Sequence, residues 1–81
     1  MKTVHFSSAA DKALQKMQPK RKLAILEKLG AYARGEQVDI KKLKNQELYR
    51  IRVGGDRVII DDEGRVVMVV AVGPRGGIYK E

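Results

Sequence analysis

The sequence predicts an α+β domain of order β-α-α-β-β-β, a helical hairpin packed on one face of a mostly antiparallel four-stranded sheet. Three observations carry that expectation. Two stretches with apolar residues at helical spacing follow one another before Gly35. Three β-prone runs follow Gln46, separated by Gly54-Gly55 and Glu63-Gly64. The chain has 81 residues, enough for a single domain over 1–81 with a modest core.

Each element has a local reason. Lys2 to Phe6 is β-prone and alternates, with Val4 and Phe6 opposite Thr3 and His5, so it reads as a first strand. Ser7-Ser8 offers an N-cap, and Ser8 with Asp11 resembles a capping box. Ala10, Ala13, Leu14 and Met17 then define a short amphipathic helix from Ser8 to Met17. Pro19 ends it and suits the first turn of a second helix, from Lys20 to Arg34. That helix is expected to bury Leu23, Leu26, Leu29 and Ala33, flanked by Ile25 and Tyr32, with close packing at Gly30. Gly35 is a natural helix stop.

Glu36 to Gln46 reads as a basic connector, with Lys41, Lys42 and Lys44 around a core-anchoring Leu43. Strands are expected over Leu48–Val53, Asp56–Asp61 and Arg65–Gly73, and Pro74 ends regular pairing. The last strand is apolar on both faces, which predicts a central place in the sheet or a face covered by a partner.

Composition narrows the function classes. Apolar residues make up 43% and charged residues 33%, which suits a globular fold. With no cysteine, disulfide scaffolds and thiolate metal sites are excluded. The start of the chain lacks a signal-peptide apolar region, and Val66–Val72 is too short to cross a bilayer. A cytoplasmic protein without a membrane association is expected. The net charge of +7 points to an anionic partner such as nucleic acid or an acidic protein segment.

The hairpin register sharpens this. With Gly54-Gly55 as a two-residue turn, Val53 faces Asp56, Arg52 faces Arg57 and Arg50 faces Ile59. Tyr49, Ile51, Val53, Val58 and Ile60 then share an apolar face under the helices, and Arg50, Arg52 and Arg57 share an open one. Carried through Glu63-Gly64, the same alternation puts Met68, Val70 and Val72 on the open face. Like charges directly opposite on a sheet repel, which makes physical sense where an anion lies between them. Arginine adds bidentate phosphate contacts. A merely solvated cationic face is the plainer alternative. Beyond the last strand, Arg75 lies on a glycine-rich turn, followed by Tyr79. His5 reads as structural or exposed, and Asp61-Asp62-Glu63 as an acidic hairpin tip rather than a metal site.

Leu43, Tyr49-Arg50-Ile51-Arg52-Val53, Gly54-Gly55-Asp56-Arg57-Val58-Ile59-Ile60, Val72-Gly73-Pro74-Arg75 and Tyr79 together resemble the RelE/ParE toxin superfamily over almost the whole chain. The resemblance implies the toxin of a type II toxin–antitoxin system. For RelE-type members it implies a metal-independent endoribonuclease, without cofactors, that cuts mRNA in the ribosomal decoding site and inhibits translation. The RNA's 2′-hydroxyl attacks the adjacent phosphate, leaving a 2′,3′-cyclic phosphate and a 5′-hydroxyl. The site residues carried over are Arg50, Arg52, Arg57, Arg75 and Tyr79. Lys41, Lys42 and Lys44 are expected to contact RNA or the ribosome. The implied partner is an antitoxin, and its contacting segment is expected to be acidic and amphipathic.

The prototype has lysines at the positions of Arg50 and Arg52. Arginine stays protonated near neutral pH, so these two read as electrostatic clamps rather than bases. The alternatives are a ParE-type toxin, which poisons DNA gyrase and is no ribonuclease, and a non-catalytic nucleic-acid-binding domain.

Overall fold

Ser7 caps the first helix, which begins at Ser8 as expected. In the computed structural model, which describes residues 1–44 and 46–74, the Ser7 hydroxyl accepts from the Ala10 N–H at 3.1 Å. The expected Ser8/Asp11 capping box does not form because the cap lies one residue earlier, and Asp11 instead accepts from Gln15 at 2.9 Å. Strand β1 spans Thr3–Phe6 and helix α1 spans Ser8–Lys16. Helix α2, Pro19–Ala33, opens on its proline. It closes at Gly35, whose φ of +85° suits glycine. There the Gly35 N–H donates to Tyr32 and the Glu36 N–H to Ala31, each at 3.0 Å, which satisfies carbonyls the helix end would otherwise leave open.

The buried stripe of α2 differs from expectation. Ile25, Leu29 and Ala33 are buried, four residues apart, whereas Leu23 is 58% exposed and Leu26 37% exposed. Both stripes have helical spacing. Where the helix sits on the sheet selects between them. Gly30 does not serve close packing of elements, since a Cβ there would meet only the mobile end of Arg34, at 3.3 Å.

The sheet has five strands rather than four, in the order β1-β5-β4-β3-β2. The added strand, β2 (Ile40–Lys42), comes from the basic connector and pairs antiparallel with β3 (Tyr49–Val53). Strands β3, β4 (Asp56–Asp62) and β5 (Val66–Pro74) form an antiparallel meander, and β1 joins β5 in parallel. Strand β5 is therefore flanked on both sides, as its two apolar faces require. The helices cover one sheet face. Ala10, Leu14, Ile25 and Leu29 pack there with Ile51, Val53, Val58, Ile60, Val67, Val69 and Val72. Burying such a side chain stabilises by about 1.5–3 kcal/mol before the entropy cost of ordering it.

The β3–β4 register is the expected one: Arg52 lies opposite Arg57 and Arg50 opposite Ile59. The β4–β5 register contains a bulge. Ile60 pairs with Val69 and Ile59 with Ala71, so Val70 has no partner on β4. The extra residue reverses the alternation. Met68 stays on the face away from the helices, while Val72 moves to the core, 4% exposed. Ser7 holds this bulge, its hydroxyl donating to the Val70 carbonyl at 2.8 Å and its N–H to the Val69 carbonyl at 2.9 Å.

Both ends of β4 carry an aspartate on the helix side. The Asp56 carboxylate, 5% exposed, takes two hydrogen bonds from Arg21 of α2, at 3.0 and 2.5 Å. Asp62, expected at an acidic tip, is instead tied in. It accepts from the Tyr32 hydroxyl of α2, from the Gly64 N–H at 2.8 Å and from Lys2 at 3.2 Å. Burial works to raise the Asp62 pKa, but these hydrogen bonds prevail and hold it below the ordinary value. Burial, reinforced by the hydrogen bond to Asp62, pushes Tyr32 up to about 12.

Candidate nucleic-acid interface

Strand alternation assigns the charges on the uncovered face. Strand β3 points Ile51 and Val53 at the helices, so Arg50 and Arg52 project the other way. Strand β4 does the same with Arg57, Ile59 and Asp61. Pairing of Lys41 with Arg50 puts Lys41 of β2 on this face too. Two adjoining rows result. One runs Lys41–Arg50–Ile59–Ala71 across β2, β3, β4 and β5. The next runs Asp39–Arg52–Arg57–Gly73, with Asp39 placed by the bond from the Arg52 N–H to its carbonyl, at 2.9 Å.

Each row sets two cations side by side on neighbouring strands, where directly opposed Cβ atoms stand about 4.5–5.5 Å apart. Exposure grades across the patch. Arg50 is 7% exposed, Arg57 half-buried, and Lys41 and Arg52 open to solvent. The expectation of a wholly open face therefore needs correction at Arg50. Leu43, which continues the alternation of Lys41 and donates its N–H to Leu48 at 2.9 Å, belongs to this side. Leu43 and Ile59 are buried here, at 2% and 1% exposure, apart from the main core cluster. Ile59 lies directly opposite Arg50. Leu43 is thus an anchor, but of the opposite face. Asp39, 59% exposed, approaches the Arg50 guanidinium at 3.8 Å.

Lys42 falls on the helix side opposite Tyr49 and lies 3.7 Å from the Glu47 carboxylate, and Lys44 is exposed in the turn that follows. The three connector lysines are therefore not equivalent: only Lys41 joins the arginines on the sheet face. The expected connector has no strand to tell them apart. Ile40-Lys41-Lys42-Leu43 does not alternate in polarity, so only the pairing with Tyr49–Val53 sets its facing. Arg75 and Tyr79, expected beyond β5, lie outside the described residues. His5, exposed on β1 opposite Met68, sits well along the sheet from the arginine rows. Among the described residues no group of three metal-ligating side chains occurs, and no helix is long and apolar enough to cross a membrane.

No family model matches the sequence, and a search of curated proteins finds no match. Solved structures do match. A chain of the archaeal RelE–RelB complex from Pyrococcus horikoshii OT3 is 27% identical, with 94% of this chain and 97% of that one covered and a TM-score of 0.73. A chain of the RelBE2 toxin–antitoxin complex from Mycobacterium tuberculosis is 28% identical, covering 91% and 98%, with a TM-score of 0.76. The isolated RelE toxin of E. coli, at 24% identity, covers 91% and 84% with a TM-score of 0.77. The gyrase-poisoning alternative gains no support from these likenesses. The mixed sheet, the helical hairpin on one face and the cationic rows on the other make this chain a protein of the RelE-like toxin fold.

Proposed function

We infer that this protein is the toxin of a type II toxin–antitoxin pair and inhibits translation by cutting mRNA in the ribosomal decoding site. The observation that carries the reading is the stacking of like charges, Lys41 beside Arg50 and Arg52 beside Arg57, on the sheet face away from the helices. Such pairs oppose folding, and a phosphate between them turns the repulsion into binding.

The nucleophile is the RNA's own 2′-hydroxyl. The 2′-oxygen attacks the neighbouring phosphorus, the bond to the 5′-oxygen breaks, and a 2′,3′-cyclic phosphate and a 5′-hydroxyl result. Negative charge grows on the phosphoryl oxygens in the transition state, and fixed guanidinium groups stabilise it more than they stabilise the ground state. Arg50, Arg52 and Arg57 take that role. The 2′-hydroxyl proton passes to water or to a ribosomal group, since no arginine accepts it. Arg75 stabilises the leaving 5′-oxygen, which takes a proton from water or a ribosomal group to become the 5′-hydroxyl, and Tyr79 stacks on an unpaired base.

The partner is an antitoxin, as in the RelE–RelB complexes that share this fold. Its contacting segment is acidic, amphipathic and folds on binding. Helix α2 suits such a segment, with exposed Leu23 and Leu26 and a groove lined by Ala24, Leu26, Ala31 and Val53 together with Lys28, Arg34 and one acid, Glu27.

Single-turnover cleavage on programmed ribosomes tests the enzyme reading. Arg75→Ala is expected to slow the cutting step by about a hundredfold while ribosome binding falls much less. Cutting at the parent rate would remove Arg75 from the site. Failure of the parent to cut at all would leave the non-catalytic reading.

A further inference from the structure

Asp56 and Arg57 are adjacent on β4 and face opposite ways, so whatever fixes Asp56 on the helix side also fixes the backbone from which Arg57 projects. The same aspartate lies opposite Pro74, the last residue of β5, and Pro74 is bonded directly to Arg75. One buried carboxylate thus sits behind two of the residues assigned to the reaction. The local backbone does little to hold this end of the sheet. The hairpin turn is Gly54-Gly55, with Gly54 at a φ of +59°, and Pro74 has no N–H to give to the ladder.

Arg21 supplies the constraint. It is the third residue of α2, a helix of 15 residues packed on the core through Ile25 and Leu29. Its guanidinium donates to both oxygens of Asp56, at 3.0 and 2.5 Å, and lines one hollow with Gly55, Asp56 and Pro74. A two-point fork fixes orientation as well as distance, which a single contact cannot. The opposite end of β4 offers a comparison. Asp62 is tied to the same helix through Tyr32, but it lies five residues along the strand from Arg57, beside the β4–β5 turn.

Resting on the ribonuclease reading, we propose that Arg21 is a positioning residue: through Asp56 it sets the backbone at Arg57 and at the end of β5, and so the aim of Arg57 and Arg75 at the phosphate. Arg21 itself touches no RNA. Single-turnover cutting on programmed ribosomes and amide hydrogen exchange of the free protein are measured for the parent, Arg21→Gln, Arg21→Lys and Tyr32→Phe, all below their melting temperatures. Arg21→Gln should slow cutting at saturating ribosomes by roughly threefold to tenfold, with the half-saturating concentration unchanged. Arg21→Lys keeps the charge but not the fork, so it should regain most of the lost melting temperature and only part of the rate. Tyr32→Phe also loosens an aspartate of β4, but should cut at the parent rate. Exchange at Arg57 and Gly73, which pair at this end of the sheet, should quicken by about tenfold in Arg21→Gln and stay unchanged in Tyr32→Phe. Should Arg21→Gln not fold, Arg21→Lys against Tyr32→Phe makes the same comparison.

Equal slowing in the Arg21 variants and Tyr32→Phe would overturn the proposal, because lost stability would then explain both. So would unchanged exchange at Arg57 and Gly73. A higher half-saturating concentration with the rate unchanged would also overturn it, since Arg21 would then serve binding rather than aim. A parent that does not cut sinks the ribonuclease reading, and the exchange measurement still decides whether Arg21 holds this end of the sheet.

Discussion

The two faces of the sheet treat charge in opposite ways. On the helix side, the two aspartates of β4 are each matched by donors from other elements, Asp56 by Arg21 and Asp62 by Tyr32, Gly64 and Lys2. On the other side, cations stand next to cations: Lys41 by Arg50, and Arg52 by Arg57. The same strand supplies both kinds, since Asp56 and Arg57 are neighbours in sequence and point to opposite faces. The difference teaches where selection for stability and selection for binding act. A buried carboxylate without partners is costly, so the helix side must satisfy each one locally. The other side sets cations beside cations, with Asp39 near Arg50, and the apolar packing lies on the opposite face.

The comparison breaks first at Arg57. Arg57→Gln should slow single-turnover cleavage by about a hundredfold. Its melting temperature should stay the same or rise slightly, because a cross-strand repulsion is removed. A melting temperature lower by many degrees would show that Arg57 serves the fold, and the contrast between the faces would fail.

Asp56→Asn probes the other side. The amide keeps the shape but loses the charge that receives the two Arg21 hydrogen bonds, so the denaturation midpoint should fall clearly. Cleavage per folded molecule should change far less than in Arg57→Gln. Chemical denaturation, with cleavage scaled to folded protein, gives both quantities.

The smallest effect is a pH dependence. Tyr32 has its folded pKa raised to about 12 from an ordinary 10, so its contribution is complete below about pH 10 and is lost as pH climbs towards 12. Asp62 has its folded pKa lowered, so its contribution is present above the ordinary carboxylate range and is lost as pH falls through the folded value. Tyr32→Phe should remove the alkaline loss attributable to this residue and weaken the acid one. Unfolding midpoints measured across pH for parent and variant check this, and identical alkaline slopes would count against the Tyr32–Asp62 link.

Much of the arginine face was legible because a two-residue Gly-Gly turn fixes register, and register fixes facing. With Val53 opposite Asp56, the positions of Arg50, Arg52 and Arg57 follow from a period of two. The period of two breaks at Val70, where a bulge held by Ser7 inserts one residue. A bulge depends on a partner distant in the chain, and nothing within Val66–Pro74 marks it. Lys41 was singled out for its charge alone. Its place beside Arg50 awaited a strand of three residues, too short to stand out from a basic connector.

What the sequence alone determined is whatever depends on neighbours along the chain: the helix ends at Ser7-Ser8, Pro19 and Gly35, the order of elements apart from β2, and the hairpin that lines up three arginines. Only the tertiary structure chose between Ile25 and its exposed neighbours Leu23 and Leu26. It alone added β2 and turned Val72 inward. It also joined Asp62 to the N-terminus and α2. Turns and caps are settled by bonds within a few residues. A helix with two apolar stripes, or a strand with two apolar faces, is settled only by the surface on which it comes to rest.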